Sequence, residues 1–358
     1  MDDVIYLDSP VVNGAAESPT SEDHYLVYFI SGNPGLISYY TKFMSHLHKQ
    51  LQSHHKHARF TISGRSLHGF EVQEKSRIEG KEPPYSLNEV IELAEKSLQD
   101  HAGKASSQLD GKKPKVILAG HSVGAYILLE LIRRHRSRLA ETGSHAEDET
   151  RIVGGICLFP TVADLPSSKR GAILNALARF HYASAVAMLI LTLFASLLPA
   201  SLSTSLVQLF TGMPPDSTTI TAAFIKSPHG VRQSLHLGLD EVKQITTDKW
   251  DAEIWGAAHP SPVGRRPKLF FYFGENDHWV ADRTRDDLIR IRGRGKHGGE
   301  EEWRPKMEVD GKGIPHAFSI RHGIPIAEKV AEYVGEIVQC ERLWDRTRTG
   351  HTSGLRTI

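Results

Sequence analysis

The stretch KVILAGHSVGAYILLE, residues 115–130, decides the fold of this chain. Its first part, Val116 to Ala119, is an apolar run that predicts a buried strand. Its last part, Ala125 to Leu131, has the spacing of an amphipathic helix. Between them stands GHSVG, residues 120–124, and G-x-S-x-G between a strand and a helix is the pattern of a nucleophile elbow. The stretch therefore predicts a strand–turn–helix unit with Ser122 at the turn.

The chemistry of an elbow explains the residues around Ser122. The sharp turn strains the backbone, and Gly120 and Gly124 leave room where a Cβ would collide with neighbouring chain. His121 and Val123 occupy the two variable positions of the motif. The turn lifts the serine hydroxyl clear of the sheet and sets it near the N–H groups that begin the helix. Ser122 is therefore a candidate nucleophile, and the alternative is a purely structural turn.

Strand-like and helix-like segments alternate along the chain. Seven segments have the apolar or β-branched character of strands: residues 4–7, 25–30, 59–63, 116–119, 152–159, 268–273 and 306–309. A well-marked helix, Ser86 to Leu98, begins with a capping box of Ser86 and Glu89, and residues 324–340 are predicted to form the closing helix. The alternation predicts an α/β fold with a mostly parallel central sheet flanked by helices.

One segment interrupts this alternation. More than a hundred residues separate the strand at 152–159 from the strand at 268–273, which is too long for one crossover. Residues 163–265 are therefore predicted to be a helical cap insertion, here called the insertion. The predicted organisation is an N-terminal segment, a core in two parts around the insertion, and a polar C-terminal tail: residues 1–23, 24–162, 163–265, 266–341 and 342–358.

Within the insertion, residues 182–215 carry no charged side chain. Their centre, ASAVAMLILTLFASLLPASL, is about as long as the ~20 apolar residues that cross a bilayer. Pro199 interrupts this stretch, which favours a helix–turn–helix that enters a phospholipid monolayer and returns. A transmembrane crossing is disfavoured because it would put two halves of one core on opposite sides of a membrane. The other alternative is an apolar cap that only lines an acyl pocket.

Composition limits the classes of partner. The 358 residues include 43 basic and 42 acidic side chains and give a formal net charge of +1, so nucleic acid is not an expected partner. The cysteines, Cys157 and Cys340, are too few for a disulfide scaffold and favour a reducing compartment. The N-terminal sequence MDDVIYLDSP lacks the apolar core of a signal peptide, which predicts a protein that faces the cytosol. No cofactor is expected.

Two further side chains follow strands in the order that serine hydrolysis needs. A serine requires a base, and the base requires an orienting acid. Asp277 lies in the loop GENDHW, and His316 lies in the loop GIPHAF. Carboxyl ends of parallel strands meet at one edge of a sheet, so Ser122, Asp277 and His316 are predicted to form a triad. The alternatives are Asp282 for the acid, and His278 or His322 for the base.

Acyl transfer also needs donors for the negative charge that develops on the carbonyl oxygen. The backbone N–H of Val123, directly after the serine, is one predicted donor. The other is expected in the loop SGNPG, residues 31–35, which follows an early strand. The N–H of Asn33 is best placed there, since Pro34 has no N–H.

Two clusters of basic side chains have simpler explanations than a metal or a partner. Five histidines lie close in sequence without a nearby cysteine or carboxylate, so a solvated surface is favoured over a metal site: His46, His48, His54, His55 and His57. Four arginines trail the motif helix: Arg133, Arg134, Arg136 and Arg138. They are expected to stabilise a helix C-terminus, and contact with anionic lipid headgroups is the alternative.

Five motifs together resemble the lipid droplet-associated hydrolase family of the α/β-hydrolase superfamily. They are SGNPG, GHSVG, LFPT (158–161), FYFGENDHW (271–279) and IPHAF (314–318), within a match from about Tyr25 to Gln339. Family members usually carry Pro where Ser31 stands. The resemblance implies an α/β-hydrolase fold and a serine hydrolase at lipid droplets and the cytosolic face of the endoplasmic reticulum membrane. It implies lipid ester substrates, such as sterol esters or acylglycerols. A weakly active or inactive droplet-binding protein, a thioesterase and an acyltransferase are the alternatives.

Overall fold

A single sheet organises the part of the chain that the structure describes. The structure is a computed structural model, and it describes residues 2–8, 23–72, 81–108, 111–142, 150–178, 198–256, 265–295 and 303–353. The strands are Val4–Asp8 (β1), Asp23–Ile30 (β2), Ala58–Arg65 (β3), Lys115–His121 (β4), Ile152–Leu158 (β5), Lys268–Phe273 (β6) and Lys306–Val309 (β7).

The strands lie in the order β1-β3-β2-β4-β5-β6-β7. Strand β1 pairs with β3 antiparallel at one edge, and the other neighbouring strands pair in parallel. The prediction of a mostly parallel central sheet is therefore confirmed. The strand of the serine motif, β4, lies at the centre of the sheet between β2 and β5.

Helices cover both faces of the sheet. The described helices are Thr41–His54 (α1), Leu87–Ser107 (α2), Val123–Thr142 (α3), Lys169–Ala178 (α4), Ala200–Thr211 (α5), Pro215–Lys226 (α6), Gly230–Gln244 (α7), Asp282–Arg292 (α8) and Gly323–Ser353 (α9). Short 3-10 turns occur at Ile37–Tyr40, Leu165–Ser167 and Phe318–Ile320. The predicted capping box is present at the start of α2, where Ser86 and Glu89 cap each other.

The sequence of β2 shows why the sheet is buried on both sides. Alternate residues of this strand enter two separate hydrophobic cores. Leu26 and Tyr28 pack in the core that contains α2 and α3, whereas Val27 and Phe29 pack in the core that contains α1 and α9. A strand covered on both faces has no polar side, and this accounts for the continuous apolar run YLVYFI.

Three helices are longer than the sequence pattern predicted. Helix α2 continues to Ser107 rather than ending at Leu98. Helix α3 continues to Thr142, eleven residues beyond Leu131, where the amphipathic pattern predicted from the sequence ends. The four arginines consequently lie inside the helix rather than at its end. They pair with carboxylates: Arg133 with Glu130, Arg134 and Arg138 with Glu95, and Arg136 with Glu253.

Helix α9 likewise continues to Ser353 rather than ending at Cys340. Glu341 lies at the extension and pairs with Arg151 at 2.6 Å and with Arg265 at 2.7 Å. These long-range ion pairs, which periodicity cannot predict, hold the added turns against the core. Most of the predicted C-terminal tail is therefore helical.

Helices α4 to α7 belong to the insertion. The first part of the apolar stretch predicted to enter a monolayer, residues 182–197 of 182–215, lies outside the described residues. Helix α7 is joined to the core by polar contacts at Gln233. Its side-chain oxygen accepts the Tyr85 N–H at 2.6 Å, and its Nε2 donates to the Tyr85 carbonyl at 2.9 Å. Gln233 is fully buried, so these bonds replace water at both backbone groups.

We expect Gln233→Ala to lower the free energy of unfolding by about 2 to 4 kcal/mol, because it strands two buried backbone groups of Tyr85. Urea unfolding followed by circular dichroism measures the loss. Gln99→Ala, at an exposed position of α2, is the matched control and should change stability by less than about 0.5 kcal/mol. Equal effects of the two variants would contradict the role given to Gln233.

Candidate active site

Ser122 lies on a strained turn between β4 and α3. Its φ of 55° is positive, in the left-handed region that most residues avoid. The flanking glycines are required by close backbone contacts. A Cβ on Gly120 would lie 2.3 Å from the Gly124 carbonyl oxygen, and a Cβ on Gly124 would lie 2.3 Å from the Ile30 carbonyl oxygen. The turn therefore has the backbone geometry of a nucleophile elbow.

The structure brings Ser122, His316 and Asp277 together. The Nε2 of His316 lies 2.9 Å from Ser122 Oγ, and its Nδ1 lies 2.7 Å from Asp277 Oδ2. A carboxylate only accepts hydrogen bonds, so the ring proton is on Nδ1. The bare Nε2 is then free to accept the serine proton. This is the arrangement of an acid, a base and a nucleophile.

The loop after β6 holds Asp277 in place. Its Oδ1 accepts the N–H of Trp279 at 2.8 Å, while Oδ2 faces His316. The carboxylate is only 2% exposed, so both of its oxygens are occupied inside the protein. Asp282, the alternative acid, begins α8 and pairs with Arg285 at the surface.

The alternative bases have other environments. His278 is exposed, and its backbone carbonyl accepts the N–H of Arg170 from α4. His322 follows a 3-10 turn, and its N–H donates to the Phe318 carbonyl at 2.6 Å. The hydrogen bonds to Ser122 and Asp277 are made by the His316 ring.

The loop at residues 31–35 lies directly against the elbow. A Cβ on Gly32 would stand 3.1 Å from the Cβ of Ser122. The Gly32 N–H is engaged, because it donates to the Tyr40 hydroxyl at 3.2 Å. This leaves the Asn33 N–H as the next donor of the loop. Val123 is the first residue of α3, and such an N–H has no acceptor within its own helix.

The side chain of Asn33 points away from the serine and into the insertion. Its Nδ2 donates to the Ser234 carbonyl at 2.9 Å and to Glu241 Oε1 at 3.0 Å. Its Oδ1 accepts from the Ser234 hydroxyl at 2.7 Å. Helix α7 thus holds the loop through three hydrogen bonds, here called the Asn33 clamp.

Glu241 is the ionisable member of the Asn33 clamp. It is 3% exposed, and burial raises the pKa of its carboxyl to about 8. The hydrogen bond from Asn33 opposes this shift, and the neighbouring Asp240 adds to it. The protonated form is therefore the stable one at neutral pH.

Sequence reasoning missed the Asn33 clamp and the bonds of Tyr40. Ser234 and Glu241 are more than 200 residues from Asn33 along the chain. No spacing rule connects such distant residues. The only sequence signal is the side-chain amide of Asn33, which lies in the SGNPG loop that the sequence predicts to supply an oxyanion donor.

The histidine cluster of α1 offers no metal site in the described structure. Within the residues that the structure describes, no group of three or more His, Cys, Asp or Glu side chains is arranged to hold a metal ion. In one member of the cluster, His46, the Nε2 atom lies 3.6 Å from Oε1 of Glu328 in α9.

Comparisons with known proteins agree with the fold. A sequence profile for a family described as lipid-droplet associated hydrolase matches residues 23–319. The lipid droplet-associated hydrolase of Mus musculus is 25% identical over 334 residues, covering 91% of this chain and 89% of the relative. That of Drosophila melanogaster is 26% identical over 323 residues, covering 88% of this chain and 90% of the relative.

A solved structure resembles this one over its whole length. The peroxisomal alpha-beta-hydrolase Lpx1 of Saccharomyces cerevisiae superposes with a TM-score of 0.53 at 9% identity, covering 100% of this chain and 99% of its own. At this identity the likeness concerns the fold. The α/β-hydrolase fold predicted from the motifs is thereby confirmed.

The raised pKa of Glu241 predicts a pH-dependent stability. Between about 4.5, the ordinary value, and about 8, the folded state binds more protons than the unfolded chain. The free energy of unfolding should therefore fall as pH rises through this window, by up to about 1.4 kcal/mol per pH unit. Glu241→Gln keeps an acceptor for Asn33 and should flatten the curve.

Urea midpoints between pH 5 and pH 8.5 test this prediction. The matched control is Glu92→Gln, an exposed carboxylate on α2, which should keep the wild-type slope. Parallel curves for wild type and Glu241→Gln would contradict the prediction.

Proposed function

Because the chain belongs to the lipid droplet-associated hydrolase family, and is therefore a hydrolase, we propose that it cleaves lipid esters by a serine mechanism. The substrates proposed are sterol esters or acylglycerols. The observation that carries the proposal is the continuous hydrogen-bonded series from Ser122 through His316 to Asp277.

Each side chain of the triad has a role set by its position. Ser122 Oγ attacks the ester carbonyl carbon while His316 Nε2 takes its proton. Asp277 keeps the proton of His316 on Nδ1 and stabilises the imidazolium that forms. His316 then returns the proton to the leaving alcohol, and water cleaves the acyl-enzyme by the same steps. No cofactor is needed.

The backbone supplies the stabilisation of the tetrahedral intermediate. We assign the N–H groups of Asn33 and Val123 to its oxyanion. The close approach of Gly32 to Ser122 supports this assignment, because it brings the loop beside the attacking oxygen. A donor of this kind contributes about 3 to 4 kcal/mol to the transition state.

The insertion supports a second part of the proposal, binding to a lipid surface. Leu209 and Phe210 of α5 are 77% and 82% exposed, and Leu202 of the same helix is 45% exposed. Large apolar side chains presented together to water favour a surface that lipid covers. The described helices include none with the length and apolarity needed to cross a membrane. The exposed side chains of α5 support the proposal that the segment 182–215 contacts a phospholipid monolayer.

The proposed location is the lipid droplet surface and the cytosolic face of the endoplasmic reticulum membrane. The names of the relatives, which are lipid droplet-associated hydrolases, support the droplet. The exposed apolar side chains of α5 give the location a physical basis, since a droplet is covered by a single phospholipid layer.

Active-site labelling tests the chemistry. A fluorophosphonate probe should label the purified protein, and Ser122→Ala should abolish both the labelling and the hydrolysis of a lipid ester panel, because the attacking oxygen is removed. Ser53→Ala, at an exposed position of α1, is the matched control and should label as wild type does. Labelling that survives in Ser122→Ala would refute the assignment, and an unlabelled wild type would favour a non-catalytic droplet protein.

Flotation with artificial droplets tests the surface. Leu209→Ser with Phe210→Ser should lower the droplet-bound fraction at least several-fold, because each change removes about 2 kcal/mol of apolar burial in the monolayer. Ile291→Ser with Leu343→Ser is the matched control, since these side chains are 48% and 56% exposed but lie outside the insertion. Unchanged flotation of the α5 variant, or equal loss in the control, would contradict the prediction.

A further inference from the structure

We propose that His121, the variable residue of the elbow motif, is a positioning residue that joins the oxyanion loop to the loop of the base. The inference rests on the serine mechanism proposed above and adds to it a residue outside the triad. The chain of groups concerned, here called the His121 relay, comprises Gly32, Tyr40, His121 and the backbone of His316.

Three hydrogen bonds form the relay. The Gly32 N–H donates to the Tyr40 hydroxyl at 3.2 Å. The Tyr40 hydroxyl lies 2.7 Å from Nδ1 of His121. The other ring nitrogen, Nε2, lies 2.9 Å from the carbonyl oxygen of His316.

The chemistry of the end groups fixes the direction of every bond. A backbone carbonyl only accepts, so Nε2 of His121 carries the ring proton. Nδ1 is then an acceptor and takes the one proton of the Tyr40 hydroxyl. The lone pairs of that hydroxyl remain for the Gly32 N–H. The relay therefore has a single consistent arrangement, and it requires a neutral imidazole.

The surroundings of His121 maintain that neutral form. The residue is 5% exposed, and burial lowers the pKa of its imidazole well below the ordinary value. The nearby His316 ring, with a centroid distance of 4.9 Å, lowers this pKa further. The edges of Phe159 and Phe318 enclose the ring at centroid distances of 6.1 Å and 5.0 Å.

The two ends of the relay lie at two groups whose positions the proposed chemistry depends on. Gly32 immediately precedes the proposed oxyanion donor, Asn33. His316 is the proposed base, and its backbone position sets where Nε2 meets Ser122 Oγ. A misplacement of about 1 Å at such groups costs about 100-fold in rate. A buried histidine that merely fills the core would contribute to stability alone, and this difference makes the inference testable.

Substitutions at His121 separate its two hydrogen bonds, one with the Tyr40 hydroxyl and one with the His316 carbonyl. His121→Leu removes both, whereas His121→Gln can place an amide N–H near the former Nε2 and restore the bond to the His316 carbonyl. Steady-state hydrolysis of p-nitrophenyl butyrate is measured, and kcat is expressed per site labelled by the fluorophosphonate. We expect His121→Leu to lower kcat about 10- to 100-fold with KM within about twofold, and His121→Gln to recover part of that loss.

Tyr40→Phe removes one hydroxyl while the ring keeps its packing, so it tests the relay even if a His121 variant does not fold. Tyr40→Phe should lower kcat about 10-fold. In the His121→Leu background it should lower kcat little further, because both changes break the same series of hydrogen bonds. Tyr28→Phe is the matched control: its buried hydroxyl donates to Ser97 at 2.9 Å, away from the site. It should cost stability without changing kcat per labelled site.

The outcomes distinguish the relay from the proposed function. Wild-type labelling at Ser122 with unchanged kcat in Tyr40→Phe and in the folded His121 variants would refute the relay and leave the serine mechanism intact. Additive losses in the double variant would also refute it. A wild type that neither labels nor hydrolyses the ester would overturn both.

Discussion

The close contact between the end of β2 and the start of α3 is the constraint on which the rest of the structure depends. The backbone of Ile30 approaches Gly124 so closely that no Cβ fits between them. This contact turns the chain sharply at Ser122 and accounts for its positive φ. It also brings the loop after β2 beside the serine, so one steric requirement sets the positions of both the proposed nucleophile and the proposed oxyanion donors.

Around that contact, each loop is secured from a different direction. The loop of Asp277 is held by its own backbone through Trp279, and the backbone of His316 is bonded to the elbow through His121. The loop of Asn33 is secured from two sides, by Tyr40 of the core and by Ser234 of the insertion. The geometry of the site therefore depends on contacts from the loop after β6, from the core around Tyr40 and His121, and from helix α7 of the insertion.

The sequence predicted the parts of the molecule that depend on local pattern. The apolar runs identified the parallel strands, because a strand covered on both faces has no polar side. The proximity of Asp277 and His316 to Ser122 was predicted because strand ends in a parallel sheet share one edge. The relay and the Asn33 clamp were missed, since their bonds join residues whose proximity arises only from packing. The lengths of α3 and α9 were underestimated for a related reason: long-range ion pairs, as at Glu341, extend a helix beyond its apolar stripe.

Because of the Asn33 clamp, a shortened version of this protein would have to keep helix α7. Helix α7 comes from the insertion by sequence, yet its Gln233, Ser234 and Glu241 fasten backbone and side chains of the core. A chain shortened by removing residues 163–265 would lose the support of the loop beside Ser122. Helix α5 is tied to the core at its end, where Arg321 donates to the carbonyl of Gly212. A shortened chain that keeps residues 230–244 keeps this support, so the part of the insertion proposed to contact lipid can be exchanged without removing the Asn33 clamp.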